Sequence, residues 1–373
     1  MRHPALASLD ARRVIILRAL YLGDLLCSVP SMRALRQRFP NAEITLIGLP
    51  WAQDLVDRLP YLDRLQPSPG FRDLPEVPYD EQRTEQFFAA CRQERYDLAI
   101  QMHGSGRSTN ELVAALGAQE TIGFGIAGDR YMTATVPWIE DESEILRCLR
   151  LVSLVDASAS DTALEFPTSR HEEQHAHALL RALPGSGGPI VALHAGAKDP
   201  RRRWPAERFA VLADELYARF GARLILTGNV DDKPIGRAIK RHLRAPVLDL
   251  IGQTDFGAFA AVIAGLDLLV TNDTGASHVA AAKRAPSVVL FGFARPNRWA
   301  PLDRSLHTVI DAVTIGGGTR NEATALAELP VDPVLAVCSR KLEALKQARI
   351  EPSRAHQASP AHPPRQLETV WDG

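Results

Sequence analysis

Short apolar runs, each followed by a small polar cluster and then by a segment with helical spacing, recur along most of this chain. Val14–Leu17 is continuously apolar and rich in β-branched residues, the pattern of a strand buried on both faces. The chain turns at Gly23, and SMRALRQRFP then sets Met32, Leu35 and Phe39 on one side of a helix with arginines opposite. AEITLIGLP and RYDLAIQMHG (Arg95–Gly104) predict two further buried strands, and the stretch between them, YLDRLQPSPGFRDLPEVPYDEQ, reads as a surface excursion. PGSGGP (Pro184–Pro189) predicts a linker. Beyond it the alternation restarts, with strands in IVALHAGA, ARLILTG, PVLDLIG, LDLLVTND and PSVVLFG. PAERFAVLADELYARF, FGAFAAVIAGL and DPVLAVCSRKLEALKQARI read as helices, Pro205 suiting the first turn of its helix. The expected architecture is α/β: two Rossmann-like, doubly wound parallel-sheet domains over residues 1–184 and 185–349, then a proline-rich, polar tail over 350–373 expected to be disordered.

Composition narrows the function classes. The 373 residues give room for two cores, and 46% hydrophobic with 23% charged residues is the balance of a soluble globular protein. A net charge of -1 supplies no long-range field for nucleic acid, so no nucleic-acid partner is expected and any anion site must be local. Cys27, Cys91, Cys148 and Cys338 lie dozens of residues apart, which fits neither a zinc site nor a disulfide framework and suits a reducing cytosol. The N-terminal segment lacks the pattern of a signal peptide, and no apolar segment approaches the length of a membrane span. Metal-ligand, P-loop and G-x-S-x-G motifs are missing, so neither a metal nor a cofactor is expected.

In open α/β sheets ligands lie outside the carboxyl ends of the strands. Gly23 and Asp24 follow the first strand; from the dipeptide alone an N-cap is the better reading of the aspartate. The absence of G-x-G-x-x-G there argues against a dehydrogenase. In HAGAKDPRRRWP, the small residues Gly196 and Ala197 after His194 leave backbone N–H groups open to an anion, and Lys198, Arg201, Arg202 and Arg203 crowd the same loop. Arginine grips phosphate with a bidentate fork, so phosphate binding is favoured over a merely solvated loop. Thr227-Gly228-Asn229 with Asp231 and Asp232 fits ribose hydroxyls and a polar turn equally. Asp273 or Thr274 caps a helix starting near Gly275, and His278 lies about one turn after Thr274. A lone histidine is more often structural, but this whole group, at a strand end and a helix N-terminus, points to a phosphate or sugar site. In FGFARPNRWAPL, Phe291–Phe293 reads as part of a pocket wall and Pro296–Pro301 as a rigid loop.

Taken in order, LRALYLGDLLCSVPSMRALRQRFPNAEITLIG, HAGAKDPRRRWPAERFAVLADEL and DLLVTNDTGASHVAAA with VVLFGFARPNRWAPL resemble glycosyltransferase family nine, the bacterial heptosyltransferases of lipopolysaccharide core synthesis. DLAIQMHGSGRSTNELVAALGAQETIGF is similar to the acceptor-side domain of that family, and the resemblance spans roughly residues 13–345. It implies a GT-B fold, with an N-terminal acceptor domain and a C-terminal sugar-nucleotide domain facing across a cleft. It also implies inverting transfer without a metal requirement, the usual donor being ADP-L-glycero-D-manno-heptose and the acceptor a lipopolysaccharide core or similar glycan. On this resemblance Asp24 matches the catalytic base. His194, Gly196, Ala197, Arg202, Asp273, Thr274, Gly275 and His278 fall on the donor side, and Gly23, His103 and Arg107 on the acceptor side. The sequence departs from the family pattern at Arg202, where a lysine is common, at Gly196 and Ala197, where some members carry threonines, and at Ala195, where proline is common. These departures leave two alternatives open: transfer from another nucleotide sugar, and a sugar-nucleotide-binding module without transfer. A lipid-linked acceptor implies a cytoplasmic protein in peripheral contact with the inner membrane. Arg33, Arg36 and Arg38 are expected either to touch anionic lipid or to form a solvated helix face.

Overall fold

A computed structural model describes residues 6, 8–315 and 321–357. The chain forms two six-stranded sheets, parallel throughout. The first is built from β1 (Arg13–Leu17), β2 (Glu43–Gly48), β3 (Arg64–Pro67), β4 (Leu98–Gln101), β5 (Glu120–Phe124) and β6 (Ala134–Val136), in the order β3-β2-β1-β4-β5-β6. The second contains β7 (Ile190–His194), β8 (Arg223–Thr227), β9 (Val247–Asp249), β10 (Leu268–Asn272), β11 (Ser287–Phe291) and β12 (His307–Asp311), in the order β12-β11-β10-β7-β8-β9. Counted from its own first strand, each sheet runs 3-2-1-4-5-6, the doubly wound nucleotide-binding order. Val14–Leu17 of β1 and Leu268–Val270 of β10 are apolar and buried, as expected of strands covered on both faces.

Two expectations need correction. The segment between β2 and β4 is not wholly an excursion, since it contains the edge strand β3, whose pairing with Thr45–Gly48 outweighs its charge and its proline. The helix expected from Ser31 starts instead at Leu22 and runs to Arg38 through Pro30. Leu25, Leu26, Cys27 and Val29 are buried in its first half, and that packing carries the helix past the proline.

The Pro184–Pro189 stretch joins the helix Arg170–Arg181 to β7. Arg170–Arg181 packs against the helix Phe256–Ala264, and Arg58 of the first half reaches it by hydrogen bonds to Glu172 at 2.8 and 2.5 Å. One apolar core runs continuously from beneath the first sheet to the helix Gly275–Ala282. A second surrounds Phe209, Leu216, Val334 and Cys338, where the helix Val331–Gln357 closes over the C-terminal sheet. That helix continues into the expected tail, of which residues 358–373 lie outside the described residues. Arg33, Arg36 and Arg38 are engaged within the protein rather than forming a free, solvated face. Arg33 is buried against Glu165 and the Asp161 carbonyl, Arg36 pairs with Asp63 at 2.5 Å, and Arg38 donates to the Leu9 and Val155 carbonyls.

Candidate functional site

The strand order reverses between β1 and β4 in one sheet and between β7 and β10 in the other. These are the switch points where a doubly wound sheet opens a crevice at its carboxyl edge. Asp24 follows β1, His103 follows β4, His194 to Ala197 follow β7, and Asp273 to His278 follow β10. The two crevices face each other. A Cβ placed on Gly23 would meet His278 Cδ2 at 2.6 Å, and one placed on Gly275 would lie 3.6 Å from Leu22. His278 Nδ1 is 3.4 Å from the Cys27 thiol, 251 residues away in the chain. Gly23 is therefore glycine because the opposite domain leaves no room for a side chain.

On the C-terminal side Thr274 is the N-cap of Gly275–Ala282, its hydroxyl accepting from Ala276 N at 3.3 Å. The backbone N–H groups of Thr274 and Gly275, and those of Gly196, Ala197 and Lys198, have no protein acceptor among the described residues. Two strand ends thus present free amides beside a helix N-terminus, the requirement for holding a phosphate. Asn272, fully buried, fixes this arrangement: its Nδ2 donates to the Ala195 carbonyl at 2.9 Å, and its Oδ1 accepts from Trp204 N at 3.1 Å. Arg202 Nη2 meets Asp273 Oδ2 at 2.5 Å. Burial pushes the Asp273 carboxyl up to about 6, Arg202 opposing and the Asp24 charge adding to the rise. Burial holds His278 and His194 down at about 4, so both are neutral imidazoles near pH 7. His194 Nδ1 lies 3.1 Å from Thr227 Oγ1. Gly196 is needed because a Cβ would strike the Asp232 carboxylate at 2.3 Å. Asp232 itself accepts from Asn229 N at 2.9 Å within a capping box, as the polar-turn reading of that segment expects.

On the N-terminal side Asp24 is not an N-cap. Tyr21 occupies that position without a side-chain cap, and Asp24 is the third helical residue, half-buried. Burial raises its carboxyl above the usual range, and the Glu144 charge adds to that; Arg18 and Arg298 oppose it. His103 is buried 3.7 Å from Glu76, held down at about 4 by burial and by Arg18. Arg107 stands on the exposed rim beyond it, with no hydrogen bond or ion pair among the described residues.

Three arginines and a glutamate here escape the sequence reading. Arg18, fully buried, donates from Nε and Nη2 to the Asp24 carbonyl at 2.9 and 2.7 Å and from Nη1 to the Met102 carbonyl at 2.6 Å. Its Nη2 is also 3.2 Å from Glu144. Glu144 pairs in addition with Arg147 and, across the cleft, with Arg298 Nε at 3.3 Å. Burial alone would raise the Glu144 carboxyl, but Arg18, Arg147 and Arg298 together hold it below its usual value. The signal that could have found Arg18 is its place directly after an uninterrupted buried strand, where a charge must have a partner. Lys198 adds another contact between the halves, its ammonium 4.1 Å from the centre of the Tyr21 ring.

Comparison with known proteins accords with this geometry. The sequence profile described as glycosyltransferase family 9 (heptosyltransferase) matches residues 85–317. Lipopolysaccharide heptosyltransferase 2 of Escherichia coli K12 is 25% identical over 315 residues, covering 80% of this chain and 87% of the relative. Lipooligosaccharide heptosyltransferase 2 of Haemophilus influenzae is 27% identical over 306 residues, covering 78% and 86%. The solved structure of E. coli ADP-heptose LPS heptosyltransferase II superposes with a TM-score of 0.70 at 22% identity, covering 90% of this chain and 99% of that one. The two facing sheets are thus the GT-B fold expected from the sequence, and the protein is a glycosyltransferase. It belongs to glycosyltransferase family 9, the heptosyltransferases.

Proposed function

We propose that this protein moves a heptose from ADP-L-glycero-D-manno-heptose to a lipopolysaccharide core acceptor with inversion, Asp24 acting as general base. ADP-heptose and lipopolysaccharide are named for its relatives, and the sugar configuration and core acceptor are those the family resemblance implies. The observation that carries the reading is the meeting of Gly23-Asp24 with the N-terminus of Gly275–Ala282 at facing switch points. The free amides of Gly196–Lys198 and Thr274–Gly275 would take the diphosphate, with Arg202 beside them. An acceptor hydroxyl reaching in from the first domain gives its proton to Asp24 as its oxygen bonds to the anomeric carbon. The bond from that carbon to the phosphate oxygen breaks on the opposite side, and ADP leaves with its charge held by amides and cations. A carboxylate raised above its ordinary pKa is a better base for this step than an ordinary one.

A lipid-linked acceptor would bring the protein to the cytoplasmic face of the inner membrane as a peripheral visitor. No helix among the described residues is long and apolar enough to cross a membrane.

Asp24→Ala tests the mechanism. Transfer, read by mass spectrometry of the glycan product, should fall by about 10²- to 10⁴-fold, while ADP-heptose still raises the melting temperature. Wild-type turnover in that variant removes Asp24 from the reaction. A thermal-shift panel of ADP-, GDP- and UDP-sugars tests the donor; stabilisation by a non-adenine sugar alone overturns ADP-heptose.

A further inference from the structure

We propose that Glu144 is a positioning residue that couples placement of Asp24 to docking of the two domains, through Arg18 on its own side of the cleft and Arg298 on the other. The inference rests on the reading of Asp24 as the base. Glu144 opens the helix Glu144–Val152 in the N-terminal half and is 3% exposed. Its Oε1 faces Arg18, the side chain that grips the Asp24 carbonyl with two hydrogen bonds. Its Oε2 faces Arg147 and Arg298. Arg298 belongs to the short helix Pro296–Trp299 after β11, in the C-terminal half. Its guanidinium lies over two rings, 5.1 Å from Trp138 and 4.7 Å from Trp299. Trp299 in turn packs edge-on against His278 at 6.4 Å between ring centres. One carboxylate thereby touches both the arginine that fixes the base and the arginine that arrives with the donor domain.

A plain counter-ion role would need only Arg18 and Arg147, which lie on the same domain as Glu144 and are both fully buried. Arg298 is extra. It is the cation that leaves when the domains part, and its departure returns Glu144 wholly to Arg18 and Arg147, shifting the guanidinium that holds the first turn of Leu22–Arg38. Burying so many charges is a poor route to stability, since apolar side chains of similar volume usually do as well. Coupling of two elements is the better account of why they are here.

Arg298→Gln and Glu144→Gln, singly and together, test this. Arg298→Gln should lower kcat by about 10- to 100-fold through misplacement of the base. Both KM values should stay within about three-fold, because no ground-state contact to substrate is lost. Hydrogen exchange over Tyr21–Cys27 should quicken in the same variant, a readout that needs no turnover. Glu144→Gln should reproduce both effects. The double variant should be no worse than Glu144→Gln by more than roughly two-fold, because the two residues act through one contact. If Glu144→Gln does not fold, Arg298→Gln carries the test, since Arg298 is part-exposed and its loss leaves the core intact. Arg295→Gln is the control: it breaks the exposed Arg295–Asp141 pair, which also crosses the cleft, and should leave kcat and exchange unchanged. Wild-type kcat and exchange in Arg298→Gln, multiplicative losses in the double variant, or an equal loss in Arg295→Gln would each overturn the coupling. Asp24→Ala measured alongside separates the two ideas. An active Asp24→Ala removes the base, whereas an inactive one beside a wild-type Arg298→Gln removes only the role of Glu144.

Discussion

At Asp273 burial and charge pull in opposite directions, and burial wins: the carboxyl sits at about 6 although Arg202 is 2.5 Å away. Asp24, also raised by burial, feels the negative charge of Glu144 and the positive charges of Arg18 and Arg298. The histidines of the cleft are held at about 4 and do not change charge between pH 5 and 8. The acid limb of activity therefore belongs to carboxylates. Replacing Asp273 by Asn removes a negative neighbour of Asp24 and frees the Arg202 charge, and both changes favour ionised Asp24. The acid limb of kcat/KM in Asp273→Asn should move to lower pH by roughly half a unit to one unit. In His278→Gln the limb should keep its position whatever happens to the rate. An unmoved limb in Asp273→Asn would show that its charge is not felt at Asp24. Arg18 and Glu144 mark where residue-level reading stopped. Glu144 lies 126 positions from Arg18, and no local pattern pairs them. Arg298 was legible only as part of a rigid loop, because its partner belongs to the other domain.

The elements that carry the site are two helix N-termini pressed together; the sequence displayed the one at Gly275, whereas the one at Leu22 was expected nine residues later, from Ser31. Strands β1, β7 and β10 were legible because burial on both faces makes them continuous apolar runs. Strands β3, β5, β6 and β12 were not. β3 and β6 are short edge strands, β5 contains a glycine, and β12 mixes His307 and Asp311 with its apolar residues, so none stands out without its neighbour. What no strand pattern could show is the contact of Gly23 with His278. An alanine at position 23 would gain about 0.8–1.0 kcal/mol of helix propensity and lose about 1–3 kcal/mol to overpacking against the ring. The two terms partly cancel in stability, leaving a net loss of at most about 2 kcal/mol. They do not cancel in geometry, since the ring is also confined by Cys27 and Trp299 and the domains must separate to admit the methyl. Gly23→Ala should therefore melt within a few degrees of wild type yet lose about ten-fold or more in kcat/KM. Calorimetry and a transfer assay on the same sample check it, and full activity at an unchanged melting temperature would mean that the cleft adjusts freely.

Across the described residues, three buried histidines and the half-buried His194 set the response to acid. His103, His194, His278 and His307 are each held at about 4 by burial, against 6.5 for a free imidazole. His307 opens β12, at the opposite end of the strand from the carboxyl edge, its Nδ1 2.8 Å from Ser287 Oγ. As pH falls below 6.5 the unfolded chain takes up protons on these rings while the folded chain does not, so stability is full above 6.5 and declines as pH falls toward 4. Asp273 acts with the opposite sign. Its folded carboxyl binds a proton at about 6 and its unfolded one near 3.8, so it adds stability as pH drops through that window. At pH 5 each histidine has lost on the order of 2 kcal/mol, while Asp273 has returned on the order of 1 kcal/mol. Four rings against the raised carboxyls of Asp273 and Asp24 leave a net loss of a few kcal/mol, enough to lower the melting temperature by roughly 3–8 °C between pH 7 and pH 5. His307→Gln should recover about a quarter of that fall and leave transfer at pH 7 unchanged, because the ring touches neither sheet's carboxyl edge. A melting temperature that stays level from pH 7 to pH 5 would mean that the folded protein protonates these rings as readily as the unfolded chain does. The burial that keeps His278 and His194 neutral in the cleft would then be absent in solution, and the cleft would be more open than the close contact of its two helix N-termini indicates.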